Sequence, residues 1–592
     1  MFNLQKLAFS APGSYLAIGK DRRFDGAGVW IRTLIRPCFG DGKPDPSDHV
    51  MRVVPAAKDG TFAEYTLEFL PHKLVFHIGG ETDGSSRIEA FFSDWDAVTF
   101  VMHNASLCLE YGHGDNTVFV PRLDRGRHGD AKNRFSAYLP VTFYEITLET
   151  EIGNVTHDTN YHRLSYVAEE RDSFQVEFRA RHTRVEEVAR PYPYKNPDDL
   201  KRAFDKFSAC YPLDTETAHA AIARYILFSI RYEARGFYKR PACAASKNKL
   251  NLVWNWDNCF AGLAVSKADP RLCWDTILMF FELQKPNGQL PDAVSPLVSV
   301  DWYLKPPVHG LFIEWLLDRD VPPTPEDAAF LYPRLVRWTE FWQNEFLHED
   351  TGLFYYKHGN DSGWDNATCF DAVPCVSPDL NAYMILQMYA LSRLAVLLGR
   401  SQEAAQDAAR LKKEAAQWER KADSHLALTL GTLWDNTERA FLHIGPDGKK
   451  FKSTSLIRML PIILGKKLPV EVRNALADEL KTGDHFLTRR GFATESVKSP
   501  LYDQRRGGSA SAYWRGAIWA PSTLLLLKGL VNIGETAFAK EAATRYLKTL
   551  ESKPDTFYEN YDALLDTGCD DYGFGWTAAS YVLLKDEGFY NE

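Results

Sequence analysis

The 592-residue sequence carries no CxxC pair among its nine cysteines and no block of five like charges, and it shows no apolar stretch near the ~18 residues of a membrane span. Each absence excludes something. Scattered cysteines, odd in number, argue for reduced thiols buried as small apolar side chains rather than for a disulfide framework or a zinc site. A formal charge of −9, from 69 basic and 78 acidic residues spread along the chain, offers no electrostatic footprint for nucleic acid or an anionic membrane, and neither partner is expected. The opening segment MFNLQKLAFSAPGSYLAIGK has no charged region followed by an apolar core, so no secretory signal is read and a cytoplasmic location is expected. Neither HExxH nor a P-loop nor GxGxxG occurs, which removes the zinc-peptidase, nucleotide and dinucleotide readings.

What is present is a globular composition, 45% hydrophobic and 25% charged, written in two regimes. From about residue 10 to 205, short runs alternate apolar and polar residues: VWIRTLI (29–35), HVMRVV (49–54), FAEYTLEFL (62–70), KLVFHI (73–78), AVTFVMH (97–103), TVFVPRL (117–123), VTFYEITLE (141–149) and SFQVEFRARH (173–182). They are rich in Val, Phe, Tyr and Thr, are separated by turn residues, and predict an antiparallel β-sandwich. After PYPYKNPDD (191–199) the period becomes helical. Helices are predicted near 214–235, 257–269, 271–284, 307–319, 325–346, 378–399, 402–430, 454–465, 469–481, 515–532, 535–551 and 575–587. Asp214 before the first, Pro325 early in the fifth and Gly399 at the end of the sixth read as start and stop signals. Twelve such helices suit a toroid of six helical hairpins, and no fixed sequence period marks a solenoid. The expected organisation is therefore multidomain, with a β-sandwich and linker over 1–205 and an all-α catalytic domain over 206–592.

Thirteen of the fifteen tryptophans fall after residue 250, many of them beside acids in segments between predicted helices. These segments are VWNWDNCF (253–260), NGQLPD (287–292), DSGWDNATCFD (361–371), SAYWRGAIWAP (511–521), YENYD (558–562) and DDYGFGWT (570–577). Indole and phenol faces stack on the apolar face of a sugar ring, while carboxylates, amides and Arg bind its hydroxyls, so the pattern suits a carbohydrate cleft. Tryptophans plugging a helical core, with the acids as caps, are the bland alternative, and the recurrence of the pattern favours the cleft. Cleaving a glycosidic bond needs one carboxyl to protonate the departing oxygen and a second either to attack the anomeric carbon or to activate water. Asp365 is the first candidate, because Trp364 beside it would exclude water and favour the protonated acid; Glu559, between Tyr558 and Asn560, is the second. Asp257, Asp361, Glu495, Asp570 and Asp571 compete as hydroxyl ligands or helix caps, and spacing alone does not rank them. His309 and His358 read better as structural and solvated imidazoles than as site groups. Arg505, Arg506, Gly507 and Gly508 read equally as an entrance loop and as a solvated turn.

DSGWDNAT, YWRGAIW, and YENYD followed by FGWTAA occur in the order seen in glycoside hydrolase family 63, which the chain resembles over about residues 210–592; it is similar also to the related clan of inverting trehalases. The resemblance implies an (α/α)6 barrel, preceded in many members by a β-sandwich, in agreement with the change of period. It implies that Asp365 of the SGWD motif is the general acid and Glu559 of the YENY motif the general base of an inverting hydrolysis. It also places Trp256 and Asp257 of WNWD, and Trp514 and Arg515 of YWRG, around the innermost sugar. Trp364, Asn366, Tyr513, Trp519 and Trp576, from the same motifs, are taken with them as substrate-binding candidates. Inverting hydrolysis requires no metal or cofactor.

Two departures matter. Family members often have Glu-Ser-Gly-Trp-Asp-Asn-Ser where this chain has Asp361 first and Ala367 last, which leaves the catalytic pair intact but opens the aglycone side. One trehalase signature is absent around Trp256 and a second is replaced by YWRGAIWAP (513–521), which argues against trehalose. The expectation is an α-glycosidase releasing a non-reducing-end sugar, glucose by resemblance, from an α-linked oligosaccharide or small glucoside. Small relatives in this clan act on glycosylglycerates, and Lys305 and Arg515 would suit an acidic aglycone, so a mannosyl- or glucosylglycerate hydrolase is the alternative. A sugar epimerase would want paired histidines near the motifs, and none is there; a non-catalytic carbohydrate-binding protein would have no need of both Asp365 and Glu559.

Overall fold

The computed structural model describes the chain apart from residues 1, 21–27, 36–48, 80–84, 112–118, 125–132, 141, 152–154, 169–170, 214–216, 402–404, 484, 504–512 and 587–592. Asp214 and the run Arg505, Arg506, Gly507, Gly508 therefore lie outside the described residues. Two compact units divide the chain, Met1–Leu252 with Ser295–Val298, and Val253–Val294 with Ser299–Glu592.

The first unit opens with β1 (Leu16–Gly19), β2 (Val29–Thr33), β3 (His49–Ala57), β4 (Tyr65–Leu70), β5 (Lys73–Ile78), β6 (Arg87–Asp94) and β7 (Ala97–His103). It continues with β8 (Ala105–Glu110), β9 (Phe119–Asp124), β10 (Asn133–Leu139), β11 (Tyr144–Thr150), β12 (Val155–Asp158), β13 (Arg163–Tyr166) and β14 (Ser173–His182). They form two antiparallel sheets, ordered β1-β2-β3-β8-β13-β12 and β4-β5-β6-β7-β14-β11-β10-β9. Register follows the period-2 pattern. Ile146 pairs with Ala180 and Leu148 with Phe178, and across the next ladder Phe178 meets Val98 and Val176 meets Phe100, all of them buried. A one-residue slip would turn these side chains out to water, at about 1.5–3 kcal/mol for each of the Val, Ile, Leu and Phe among them.

All eight predicted runs coincide with strands. Six strands were not predicted: β8 is buried at every position and so does not alternate, β1, β12 and β13 are only four residues long, and β6 and β10 were missed although their burial alternates.

Helix α1 (Pro197–Ala209) was not predicted, although Asn196 caps it by accepting from the Asp199 N–H at 3.0 Å and Pro197 occupies its first turn. Helix α2 (Ala218–Ser229) is capped by Thr217. It packs within the first unit: the Tyr225 hydroxyl donates to the Ala8 carbonyl at 2.8 Å and accepts from the Ser10 N–H at 3.1 Å. The segment after it is held the same way, the buried Lys247 ammonium donating to Ser10 Oγ and to the carbonyls of Ala11 and Ser14. The division between the units thus falls at Leu252, beyond the change of sequence period.

The second unit contains α3 (Asp257–Val265), α4 (Pro270–Glu282), α5 (His309–Asp318), α6 (Pro325–Glu345), α7 (Pro378–Ser401), α8 (Ala405–Leu433), α9 (Val470–Lys481), α10 (Ala520–Asn532), α11 (Thr536–Glu551) and α12 (Gly575–Lys585). A 3-10 helix, Leu456–Lys467, stands where the eighth helix was predicted, because Pro461 cannot donate and Gly465 breaks the turn at φ 58°. An inner ring closes on itself: α3 packs on α5, α5 on α7, α7 on the 3-10 helix, that helix on α10, α10 on α12 and α12 on α3. Outside it stand α4, α6, α8, α9 and α11. The inner helices are apolar all round, as α3 and α10 show with nearly every residue buried, whereas α8 buries a stripe of Leu411, Ala415, Trp418 and Ala422 and is charged elsewhere. Close approach in the ring is allowed by Gly310, where a Cβ would overlap the Gln387 backbone of α7.

Two sequence expectations change here. Gly399 does not end α7, which runs on to Ser401. Residues 378–400 of that helix are long and apolar enough, with an 18-residue window of mean hydropathy 1.4, to cross a membrane by length and composition; 72% of that window is buried inside the protein, as the core helix of a helical ring must be.

Candidate active site

Among the described residues each inner helix except the last, α12, is followed by an outer one that returns the chain, so the inner helices run the same way and the segments before their N-termini gather at one end of the ring. Trp256 and Asp257 begin α3, Lys305 precedes α5, the Asp365 segment precedes α7, Trp519 precedes α10 and Trp576 lies in the first turn of α12. Helix α10 starts five residues later than predicted because Ile518–Trp519 is a short strand paired with Tyr558–Tyr561, which pairs in turn with Gly568–Tyr572. This small sheet brings the YWRG and YENY segments side by side.

The Asp365 segment is built to a tight plan. Asp361 caps the 3-10 turn Gly359–Ser362, its Oδ2 accepting from the His358 N–H at 3.0 Å, while its Oδ1 accepts from the Leu304 N–H at 3.0 Å. Gly363 then turns at φ +72°, pressed so closely on the Trp256 indole that a Cβ would come within 2.7 Å of the ring. Trp364 follows, 1% exposed, and stacks on Trp514 at 4.7 Å, which stacks on Trp519 at 4.0 Å. Asn366 completes the tie, its Oδ1 accepting from the Trp514 N–H at 2.8 Å and its carbonyl from Arg515 Nε at 2.9 Å.

Glu559 is the second carboxyl of the candidate pair. Its Oε1 accepts the Tyr513 hydroxyl and its Oε2 the Asp571 N–H at 3.2 Å, while the Trp576 indole N–H donates to its carbonyl at 2.9 Å. Tyr513 packs edge-on to Trp519 at 4.5 Å, so one aromatic stack positions both carboxyl segments. The five predicted tryptophans, Trp256, Trp364, Trp514, Trp519 and Trp576, are 0–4% exposed and packed on one another. They form the frame of the site, with Asp365, at 34% side-chain exposure, opening from it.

The electrostatics are dominated by burial. It drives the Glu559 carboxyl well above its ordinary range, Asp570 adds to this, and the bonds from Tyr513 and Asp571 oppose it. Burial also raises Asp365, against the pull of Lys305. Asp257 is pushed up to about 7 and Asp292 to about 6, again by burial first with Lys305 opposing. Lys305 was expected to be available for an acidic aglycone, but its ammonium lies 3.5 Å from Asp292 Oδ1 and 3.8 Å from Asp365 Oδ1, among acids that hold it charged. Arg515 is likewise engaged, by Asp371, which stays half exposed.

Other sequence candidates find structural places. His309 is fully buried, bonded through Nε2 to Asn255 Oδ1 at 2.9 Å and pushed down to about 3 by burial. His358 stacks on Tyr303 at 4.9 Å and caps its own turn. Glu495 is buried and accepts from Thr368 Oγ1 at 2.7 Å, Asp570 accepts from Asn560 Nδ2 at 2.7 Å, and Asp571 serves Glu559 through its backbone. Asp292 was not singled out, although NGQLPD was among the acid-bearing segments; nothing local distinguishes it from a turn residue. Among the described residues no cluster of three or more metal-ligating side chains occurs.

A closed ring of helices carrying at one end an aromatic frame with two carboxyls, Glu559 buried within it and Asp365 opening from it, defines a glycoside hydrolase of the (α/α)6-barrel class. Comparison with known proteins is specific. Residues 250–577 match the mannosylglycerate hydrolase MGH1-like glycoside hydrolase domain, and the chain belongs to that family, within glycoside hydrolase family 63. It is 24% identical over 435 residues to the mannosylglycerate hydrolase of Rubrobacter radiotolerans, covering 60% of this chain and 94% of the relative. To that of Thermus thermophilus it is 22% identical over 401 residues, 55% of this chain and 92% of the relative. In fold, a glycoside hydrolase family 63 mannosylglycerate hydrolase from a second Thermus thermophilus strain, solved with Tris and D-glycerate, matches 61% of this chain and 98% of its own with a TM-score of 0.51 at 20% identity. A bacterial glucoamylase complexed with acarbose matches 98% of this chain and 93% of its own, with a TM-score of 0.61 at 13% identity. The second likeness extends over the β-sandwich as well as the barrel.

Proposed function

We propose that this glycoside hydrolase cleaves a small α-linked glycoside of the mannosyl- or glucosylglycerate kind with inversion, Asp365 acting as general acid and Glu559 as general base. The expectation of an α-glucosidase gives way to this alternative, because the curated relatives are mannosylglycerate hydrolases.

The observation that carries the assignment of roles is the difference in hydrogen bonding between the two carboxyls. Both Glu559 oxygens accept from donors, Tyr513 O–H and Asp571 N–H, and these two bonds favour the ionised form a base needs against the upward push of burial. Asp365 Oδ1 is buried without a hydrogen-bond partner, which suits a carboxyl that keeps its proton until a glycosidic oxygen arrives. In the step proposed, the proton on Asp365 passes to the departing oxygen while the bond from that oxygen to the anomeric carbon breaks. Glu559 takes a proton from the water that attacks the opposite face. Tyr513 and the Asp571 amide hold the base in place, and the indole frame keeps bulk water out. Asp257, together with the polar edges of the frame, is assigned to the sugar hydroxyls. Arg515, released from Asp371, is the cation assigned to the aglycone carboxylate.

Proton NMR of the purified protein with α-linked gluco-, manno- and galacto-disaccharides, mannosylglycerate and glucosylglycerate tests this. One of the glycerates is expected to release β-sugar first, and Asp365→Asn to release none. Initial α-sugar would refute inversion and make Glu559 a nucleophile; cleavage of disaccharides alone would refute the acidic aglycone.

A further inference from the structure

Lys305 is placed with unusual care for a group outside the catalytic pair. Its backbone is stiffened by Pro306 and Pro307, and the Leu304 N–H beside it is bound to Asp361, four residues before the acid. Its ammonium donates to the Asn360 carbonyl at 3.3 Å, stands 3.5 Å from Asp292 Oδ1 and reaches to 3.8 Å from Asp365 Oδ1. Lys305 and Asp292 are each 9% exposed at the side chain, so the pair is cut off from solvent screening. Among the described residues, the charged and titratable groups that act on Asp365 include Lys305 and Asp292 from the segment before α5, Asp257 from α3, His358 from its own segment, and Tyr513 from the segment before α10, while Asp361 faces Lys305. Only Lys305 among them is a buried permanent cation. With Asp257, Asp292 and Asp365 all ionised around it, the cluster would carry a net −2, a cost that a poorly hydrated site avoids by retaining protons.

We propose that Lys305, with Asp292 as its counter-ion, is a positioning residue that sets the acid strength of Asp365. The inference rests on the reading of Asp365 as general acid. When the glycosidic C–O bond breaks, the Asp365 O–H bond breaks with it; the proton goes to the departing oxygen, the electron pair stays on the carboxylate, and the proton of the attacking water goes to Glu559. The new carboxylate forms 3.8 Å from a cation already in place. Before that step Asp292 offsets the same cation, so that Lys305 does not strip the proton from Asp365 early. The two side chains therefore act on the acid in opposite senses.

The test is the pH dependence of kcat/KM, with α-mannosylglycerate and with α-mannosyl fluoride, whose leaving group departs without a proton; the gluco pair replaces them if the anomeric assay selects glucose. Lys305→Met is expected to raise the basic limb by about 1–3 pH units and to lower turnover of the glycerate much more than that of the fluoride. Asp292→Asn is expected to lower the same limb, and Lys305→Arg to leave it in place. A basic limb unmoved in Lys305→Met, movement of both variants in one direction, or equal loss on both substrates would overturn the proposal. If Lys305→Met does not fold, the direction of the Asp292→Asn shift decides. Asp365→Asn separates the two readings. Retained glycerate hydrolysis in that variant refutes Asp365 as the acid, whereas selective loss of the glycerate alongside a wild-type limb in the Lys305 and Asp292 variants refutes only the role given to Lys305.

Discussion

Replacing Tyr513 with Phe removes a single hydroxyl from the candidate base while keeping the ring that packs on Trp519. Glu559 is buried, and burial drives its carboxyl upward; the Tyr513 O–H and the Asp571 N–H are the two donors that favour its charged form. A hydrogen bond to a charged group is worth about 1.5–3 kcal/mol. At 1.36 kcal/mol per pKa unit, losing it raises the Glu559 pKa by about 1–2 units. The base must be ionised to work, so the acidic limb of kcat/KM against pH is expected to move up by that amount. Below that limb the variant should be about 10–100-fold slower than wild type, with much smaller loss on the plateau. The assay is a pH series of initial rates with thermal melts alongside, and the melting temperature should change little because the ring remains. A uniform loss at every pH, or a limb that stays or moves down, would refute the argument that Tyr513 holds Glu559 in its charged form.

Buried His309 and His443 are pushed down to about 3, so their native states are neutral while the unfolded chain protonates near 6.5. That stability is complete above pH 6.5 and is lost as pH falls toward 3; His309→Gln, measured by calorimetry from pH 7 to 4, should gain on wild type as the pH drops. Gly310→Ala should destabilise by about 1–3 kcal/mol in urea unfolding, since its Cβ meets the Gln387 backbone between two inner helices; an unchanged midpoint would mean the ring yields there. Gly363→Ala forces a side chain into the positive-φ region against Trp256, and kcat is expected to fall through displacement of Asp365, with KM for the fluoride substrate as the comparison.

Much of the architecture was legible because it rests on periodicity. Alternating runs such as 173–182 and the all-round apolar runs of α3 and α10 carry their own burial patterns, and strands and helices formed where those patterns lie. What failed locally did so where a neighbour overrode propensity: Pro461 turned a predicted α-helix into a 3-10 helix, and the pairing of Ile518–Trp519 with Tyr558–Tyr561 delayed α10. The missed α1 had its signal in Asn196 and Pro197, hidden inside a stretch read as a boundary.

By itself the sequence determined the chemical class, since tryptophans beside carboxylates in ordered motifs bring the same groups to any fold that closes those segments together. It named Asp365 and Glu559 as the pair to examine and left Tyr513, Trp514 and Arg515 as undifferentiated sugar contacts. Only the tertiary structure decided what each of these touches. Tyr513 binds Glu559, the Trp364–Trp514–Trp519 stack joins the two carboxyl segments, Arg515 meets Asp371, and Lys305 points not at an open aglycone site but at Asp292 and Asp365. The physical reason is one of range. Periodicity and motif chemistry act between residues near in sequence, whereas the charge state of a carboxyl depends on desolvation and on ions a few ångströms away, and here those partners lie 46, 60 and 73 residues distant or are the walls of the ring itself.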